Sequence, residues 1–288
     1  MKLRTVLFLL SSLAILSLTT GGWIYYSSLK KSVWREAQTQ SEYHSEKIRN
    51  FISNYLTNYQ KAVKALSGIT ELQKALSNPD EAKNIIEASI ILDHFADSFQ
   101  VEVSYLMNQK GVTIASSNRN DKFSFVGHNY SFRPYFKEAI LGNPSVYMAT
   151  GVTSQKRGVY YSHPVYAAKG GKPVGVVVVK AGVETIEKEF INIRFSPGMI
   201  TVLTGPHGVV FLSDHHDFLF HLLWRTTNEK VAEIVKSDQF GKGPWEWAGF
   251  EKKNKNQVVD QAGNEYLMFQ KSIKSLPGWD IVHLNNIK

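Results

Sequence analysis

The sequence contains no cysteine among its 288 residues, which excludes disulfide bridges and thiolate-bound metal sites. This absence leaves the cellular compartment open. The chain also lacks a Gly-x-Ser-x-Gly nucleophile elbow, a phosphate-binding loop and the motifs of a kinase core. We therefore expect a non-catalytic chain and assign it no cofactor.

Dense basic runs are missing as well, although the formal net charge is +8. Lysine and arginine are scattered among acidic residues without a nucleic-acid motif, so we expect a solvated basic surface and no nucleic-acid binding. Apolar material is plentiful: 43% of the residues are hydrophobic and 12% are aromatic. This content can fill more than one core, and the length suggests about two domains.

One long hydrophobic run is present, at the N-terminus. Residues 1–4 carry two basic side chains, and residues 5–26 form an uncharged, mostly apolar run of about the length that crosses a bilayer. A cleaved signal peptide has the same basic start, but no small-x-small cleavage site follows this long run. We predict an uncleaved signal anchor over residues 1–28 and one membrane crossing.

Residues 29–69 are predicted to form a long helix, because they contain few helix breakers and an apolar stripe at spacings of three and four. The stripe consists of Val33, Ile48, Phe51, Ile52, Tyr55, Tyr59, Val63 and Leu66. It can pack on the chain's own domain or form a homodimer interface near the membrane. Asn78-Pro79-Asp80 ends this region, and a second helix is predicted over residues 81–99. Residues 29–100 thus lead into the two sheet-forming units.

The rest of the chain is predicted to consist mainly of strands and turns. The first group of strands is expected at residues 101–107, 112–116, 145–150, 158–167 and 173–183, with Pro134 opening a short helix. The second group is expected at residues 199–203, 208–213, 265–270 and 279–284. Within this second group, between the strands at residues 208–213 and 265–270, we predict a helix over residues 218–235 and a polar loop at residues 251–256.

An internal repeat connects the two groups of strands. The pattern Leu106-x4-Gly111-Val112-x3-Ser116 returns, displaced by 97 residues, as Leu203-x4-Gly208-Val209-x3-Ser213. Such self-similarity indicates a duplicated fold. We predict an α+β protein in which a long N-terminal helix precedes two tandem PAS-like units with antiparallel sheets. The membrane-distal unit covers residues 101–190 and the membrane-proximal unit residues 191–288.

Two cationic residues of the first unit lie among apolar residues. Arg133 directly precedes the helix that opens at Pro134, and Lys180 ends a valine-rich strand. Cations beside an apolar core need internal acids, contact with solvent or an anionic ligand. We favour the ligand. The alternatives are a surface Arg133 paired with Glu138 or Asp121, and a Lys180 whose ammonium group reaches solvent.

Hydroxyl groups surround these two cations in the sequence. Thr153 and Ser154 follow Gly151, whose missing side chain permits close approach of a ligand, and an ordinary turn is the alternative. Tyrosines can form the walls of a cavity and donate hydrogen bonds. Two cations that flank a small apolar gap fit a molecule with a carboxylate at each end. The ligand-binding candidates are Arg133, Tyr135, Thr153, Ser154, Tyr161 and Lys180.

Four motifs of this segment resemble a known family. They are Phe132-Arg133-Pro134-Tyr135-Phe136, Gly151-Val152-Thr153-Ser154, Arg157-Gly158 with Tyr160-Tyr161, and the valines that precede Lys180. The set is similar to the periplasmic sensor regions of C4-dicarboxylate sensor histidine kinases. The chain departs from that pattern at Thr150 and Val152, where the family suggests Leu and Thr.

The resemblance implies a double Cache fold in the periplasm, a bacterial inner-membrane anchor, and binding of short dicarboxylates such as succinate, fumarate or malate. Kinases of that family continue into a second membrane helix and a cytoplasmic kinase, whereas this chain stops at Lys288. A kinase partner, or a kinase domain outside this chain, is therefore expected.

Two other functions stay open from the sequence. Asp214-His215-His216-Asp217 with His221 has the residue types of a zinc or other divalent-metal site, and a polar turn is the simpler interpretation. The chain could also be a structural or partner-binding membrane protein that has lost its ligand pocket.

Overall fold

A single helix, α1, runs without interruption from Leu3 to Ser67 in the computed structural model, which describes residues 3–167, 171–192 and 198–286. No proline interrupts this stretch, so the apolar N-terminal run and the predicted helix after it form one element. Its N-terminal part is apolar, unburied and long enough to cross a membrane. Two shorter helices come next, α2 (Thr70–Ser77) and α3 (Ala82–Phe99). Helix α2 was not predicted.

The first sheet contains five antiparallel strands in the order β2-β1-β5-β4-β3. The strands are β1 (Val103–Asn108), β2 (Thr113–Ser116), β3 (Ser145–Thr150), β4 (Arg157–Tyr166) and β5 (Pro173–Gly182). Helix α4 (Pro134–Ile140) starts at its proline, as predicted, and packs on this sheet. A further helix, α5 (Glu184–Asn192), comes after β5 and was not predicted.

The second sheet contains six antiparallel strands in the order β7-β6-β11-β10-β9-β8. The strands are β6 (Met199–Thr204), β7 (Val210–Ser213), β8 (Glu251–Asn254), β9 (Gln257–Val259), β10 (Glu265–Ser272) and β11 (Asp280–Asn286). A 3₁₀ turn, His216–Phe218, and helix α6 (Asn228–Ser237) lie between β7 and β8.

The internal repeat corresponds to a repeated strand register. In the first sheet, Tyr105 pairs with Ser116, and the register shifts after Leu106. In the second sheet, Val202 pairs with Ser213, and the register shifts after Leu203. Each of these positions is displaced by the same number of residues as the sequence repeat. The hairpin β1–β2 of the first sheet and the hairpin β6–β7 of the second are therefore equivalent residue by residue.

Two predictions for the second sheet unit are wrong. Residues 218–235 do not form one helix, because α6 begins only at Asn228, where the hydroxyl of Thr227 caps its first turn. Upstream of that cap, Leu222 is buried in an extended bridge to Val209. Residues 251–256 are not a loop, because β8 pairs with β9 at the sheet edge.

Helix α1 packs across both sheets. The stripe is largely buried against them: Ile48, Ile52, Val63 and Leu66 belong to the main core, with Phe51, Tyr55 and Tyr59 packed against it. Intramolecular packing therefore accounts for seven of the eight stripe residues, and Ile48 and Ile52 are fully buried within the chain itself. Val33 is different: it is 58% exposed.

Candidate ligand-binding site

The candidate site lies on the face of the first sheet that points away from α1. Strand register determines this face: Lys180 pairs with Val103 on one side and with Tyr160 on the other. Residues that are paired in this way project to the same face of a sheet. Tyr105, Tyr160 and Val178 share a small core with the α4 residues Tyr135 and Phe136. The site is thus a layer between β1, β4, β5 and α4.

Arg133 is the N-cap residue of α4, and its side chain is buried, with 2% of the residue exposed. Its two terminal nitrogens donate to the carbonyl oxygens of Thr150 and Asp238, each at 3.0 Å. The alternative of a surface arginine is therefore wrong. Both acceptors are neutral carbonyls, and a carboxylate is a stronger hydrogen-bond partner for a guanidinium group than a neutral carbonyl is.

The contact with Asp238 joins the two sheet units. Asp238 caps the C-terminus of α6 in a left-handed conformation. The next residue, Gln239, accepts from the backbone N–H of Thr150 at 2.8 Å and donates from its side chain to the carbonyl of Met148 at 2.7 Å. Edge strand β3 of the first unit is thus held to the second unit beside Arg133.

Lys180 is fully buried, so the alternative in which its ammonium reaches solvent is wrong. Its Nζ donates to the carboxylate of Glu102 and to the Oγ of Ser154, the latter at 2.9 Å. Burial lowers the pKa of Lys180, and the Glu102 carboxylate opposes that effect. The structure therefore provides an internal acid for this cation, whereas we favoured a ligand from the sequence.

Four tyrosines form the wall between these cations. Tyr105 donates from its hydroxyl to the hydroxyl of Tyr135 at 2.9 Å, and the hydroxyls of Tyr130 and Thr153 are 2.8 Å apart. The rings of Tyr135 and Tyr160 stack with centroids 5.1 Å apart. Burial raises the pKa values of Tyr105, Tyr135 and Tyr160. These phenols consequently stay neutral and can donate hydrogen bonds.

A cavity of about 10 Å³ lies in the middle of this layer. Its lining consists of Tyr105, Phe125, Tyr130, Arg133, Tyr135, Gly151, Val152, Thr153 and Tyr160. That volume holds about one water molecule. A wider groove of about 510 Å³ adjoins it, since Gly151 and Val152 line both. Gly151 and Val152 therefore lie between the cavity and the groove, and a larger molecule fits the cavity only if its lining moves apart.

Gly151 is needed for the packing of this segment. A Cβ atom there would lie 2.5 Å from the Oγ of Ser154 and 2.8 Å from the hydroxyl of Tyr160. Both distances are shorter than a van der Waals contact. The short loop can therefore approach the tyrosine wall only without a side chain at this position, whereas the sequence predicted close approach of a ligand there.

The structure brings five of the six predicted residues to one face of the sheet. Arg133, Tyr135 and Thr153 line the cavity, and Ser154 and Lys180 form a polar cluster beside it. Tyr161 does not join them. Its ring stacks on Tyr59 of α1 at a centroid distance of 5.3 Å, on the opposite face.

Three contributors to the site were not identified from the sequence. Glu102 precedes β1 and belongs to no motif, although a buried Lys180 requires an acid. Tyr105 can be assigned to this face by strand parity once β1 and β5 are paired. Asp238 contributes only a backbone carbonyl, for which a sequence carries no signal.

The histidine-rich segment has a different use in the structure. Asp214 accepts from the backbone N–H of Thr201 at 2.9 Å and lies 2.9 Å from a ring nitrogen of His215. Within the described ranges, no three acidic or histidine side chains are grouped to hold a metal ion. The segment forms the polar turn that was the simpler interpretation.

Comparison with known proteins places this fold in a family. The model of the Cache domain family matches residues 26–287, and the chain belongs to that family. It is a sensor region of the kind found in DctB proteins. The C4-dicarboxylate transport sensor protein DctB of Pseudomonas aeruginosa is 33% identical over 188 residues, which cover 63% of this chain and 30% of that protein. DctB of Rhizobium meliloti is 30% identical over 173 residues, or 60% of this chain and 27% of that protein.

Solved structures agree with this assignment. The sensor domain of the histidine kinase DctB from V. cholerae superposes with a TM-score of 0.79 at 28% identity, covering 90% of this chain and 98% of that one. The ligand-binding domain of the Campylobacter jejuni chemoreceptor Tlp3, in complex with 4-methylisoleucine, has a TM-score of 0.59 at 14% identity and shares the fold. It covers 86% of this chain and 90% of that one.

The predicted α+β double Cache fold and the family resemblance are thus confirmed. The chain spans under a third of the length of the curated relatives that it matches. Family membership and the shared fold make it a small-molecule sensor domain.

Proposed function

We propose that the protein is a periplasmic sensor, anchored by one helix in the bacterial inner membrane, that binds a C4-dicarboxylate in its first sheet unit. The observation that carries this proposal is the pair of buried cations, Arg133 and Lys180, on one face of one sheet. Tyrosine hydroxyls lie between them. The names of the DctB relatives support the same ligand class.

Each cation suits one end of a short diacid. The guanidinium group of Arg133 can form two parallel hydrogen bonds with a carboxylate in place of its bonds to two carbonyls. Lys180 can bind the second carboxylate as a point charge, together with the hydroxyl of Ser154. Neutral tyrosines would then contact the apolar middle of the ligand.

Binding would also change the connection between the two units. A carboxylate that takes the donors of Arg133 competes with the carbonyl of Asp238, which belongs to the second unit. Loss of that bond would favour a different arrangement of the units, and α1 packs on both. We propose that this change passes to a kinase domain or a kinase partner, with the units bounded at residues 101–190 and 191–288.

A ligand-free membrane protein that binds a partner is the second candidate. The closed cavity favours it, because both cations already have partners inside the protein and only about 10 Å³ is open. Under this hypothesis, the polar cluster serves packing alone.

Titration calorimetry separates the two candidates. With the full chain in lipid nanodiscs, we expect succinate to bind, and Arg133→Ala and Lys180→Ala each to weaken binding by about 2 to 5 kcal/mol, as when one partner of a desolvated ionic contact is removed. Arg225→Ala is the matched control, since that arginine is exposed in the second unit. Circular dichroism would verify that each variant is folded.

Two results would contradict the proposal in different ways. Unchanged affinity in both site variants would show that the site is elsewhere. Failure of the wild-type protein to bind any of a broad panel of organic and amino acids would support the ligand-free candidate.

A further inference from the structure

The partner of Lys180 suggests how the site selects its ligand. The Lys180 ammonium is fully buried, whereas 23% of the Glu102 side chain is exposed. Glu102 directly precedes β1, and its backbone N–H donates to the Lys180 carbonyl at 3.0 Å. The main chain of Glu102 is therefore fixed, while its carboxylate is near solvent.

The Glu102 carboxylate is the same chemical group as the end of a diacid. Lys180 has three N–H donors, and Glu102 and Ser154 use two of them. A second carboxylate brought to Lys180 would lie within a few ångströms of Glu102, where like charges repel strongly. A diacid must therefore displace the Glu102 side chain from Lys180.

Displacement is feasible because Glu102 has a route to water. Its side chain can rotate outward without breaking the backbone bond to β5. Lys180 has no such route, because it is enclosed by the sheet and by the segment around Gly158, where an added Cβ would lie 2.6 Å from the Lys180 side chain. The acid is thus the mobile partner and the amine the fixed one.

We propose that Glu102 is a specificity-determining residue: an internal carboxylate that occupies Lys180 until the distal carboxylate of the ligand replaces it. This inference rests on the proposed function. A monocarboxylate held by Arg133 does not require displacement of Glu102, whereas a diacid does. Glu102 consequently lowers the affinity for diacids relative to monoacids of the same length.

The test compares succinate with butyrate on the full chain in nanodiscs, with butyrate measured directly or by competition. Glu102→Gln keeps the shape and an oxygen acceptor for Lys180 but removes the competing charge. We expect it to tighten succinate binding about tenfold, the effect of an interaction equivalent to one pKa unit, and to leave butyrate binding unchanged. Glu102→Asp, which keeps the charge, should remain within about threefold of wild type for both ligands.

Glu251→Gln is the matched control, because it makes the same change in net charge at an exposed site of the second unit. It should change neither affinity. A merely structural role for Glu102 would shift both ligands together, so the ratio of the two affinities is the decisive readout. Melting temperatures of the variants would be measured in parallel.

Unchanged or weaker succinate binding by folded Glu102→Gln, with wild type still binding, would overturn this inference and leave the proposed function intact. An equal gain for butyrate would do the same. If Glu102→Gln does not fold, equal succinate-to-butyrate ratios in Glu102→Asp and wild type support the inference, and a raised ratio in Glu102→Asp overturns it. Absence of succinate binding to every form, including wild type, would overturn both proposals.

Discussion

The two sheet units differ most at positions that their shared register makes equivalent. Where the first unit has Tyr105, the second has Val202, and where the first has Lys180 paired to Tyr160, the second has Leu284 paired to Met268. Val202, Met268 and Leu284 belong to one apolar core. The same backbone frame therefore carries polar chemistry in one unit and ordinary packing in the other.

The neighbouring position shows the same pattern. Glu102 of the first unit corresponds to Met199 of the second, so the cation and its acid are both replaced by apolar residues. A buried cation and its acid are retained or lost together, because either alone would leave an unpaired charge. This difference teaches that the fold itself does not require the polar cluster, which supports a binding role for it in the first unit.

Introducing the cation of the first unit into the second tests this comparison with the largest expected effect. Leu284→Lys places an ammonium group in an apolar core with Met199 where the acid would be needed. We expect the free energy of unfolding to fall by about 3–5 kcal/mol, as for a buried charge without its partner. Urea denaturation followed by circular dichroism would measure it.

Two further variants sharpen that result. Leu284→Met conserves volume and should cost less than about 1.5 kcal/mol. Adding Met199→Glu to Leu284→Lys should recover part of the loss. A loss below about 1 kcal/mol for Leu284→Lys would show that this position reaches solvent, contrary to its complete burial.

On the α1 side of the sheets, the comparison concerns His283, whose equivalent in the first unit is Val179. Burial lowers the pKa of His283 to about 4, and nearby His44 adds to the effect. In the unfolded chain the pKa returns to about 6.5. Between these values the unfolded state binds more protons, so the contribution of His283 to stability is fully present above pH 6.5 and is lost as the pH drops to 4.

The expected loss from His283 over that interval is about 3 kcal/mol, since one pKa unit corresponds to about 1.4 kcal/mol. His283→Val, which copies the first unit, should remove this part of the pH dependence. Chemical denaturation at several pH values would measure both slopes. Equal slopes in wild type and variant would mean that His283 does not titrate in this way. His44, whose pKa is also lowered by burial, would retain its own contribution.

The smallest expected effect concerns the hydroxyl of Tyr105, which has no equivalent at Val202. Tyr105→Phe removes the donor to Tyr135 inside the tyrosine wall. We expect thermal denaturation to show a loss of about 1 kcal/mol, the usual net value of one hydrogen bond. Tyr43→Phe, on the exposed side of α1, should cause no change. A gain in stability with Tyr105→Phe would indicate that the polarity of the wall destabilises the fold.

Strand positions of the first unit could be predicted because alternation and turn residues agree there with the tertiary packing. The edge strand β8 could not, because Glu251–Asn254 is exposed on both faces and has no apolar alternation. The helix predicted over residues 218–235 failed for a related reason. Leu222 and Leu223 are both buried, and Leu222 lies in an extended bridge to Val209 that only the tertiary structure shows.

The candidate site was predictable where a side chain belonged to a motif, as for Arg133, Ser154 and Lys180. The face of the sheet to which Tyr161 projects was not predictable. Adjacent residues of a strand project to opposite faces, and both faces of β4 are buried, so the sequence does not show whether Tyr160 or Tyr161 lies on the side of the site. Glu102 is distant from Lys180 in sequence, and only the pairing of β1 with β5 brings the two residues into contact.

The unbroken helix α1 fixes the rotational orientation of its apolar N-terminal end relative to the sheets. Its 65 residues correspond to about 98 Å at 1.5 Å per residue. The helix links Tyr59, beside the first sheet, to Trp23 without a break, so a rotation of the helix at Tyr59 also turns the part that carries Trp23. Each residue advances the helix by about 100°. The number of residues between Tyr59 and Trp23 therefore determines which side of the apolar N-terminal part lies in line with the sheet-facing side of α1. Inserting or deleting one residue would rotate that part by about 100°.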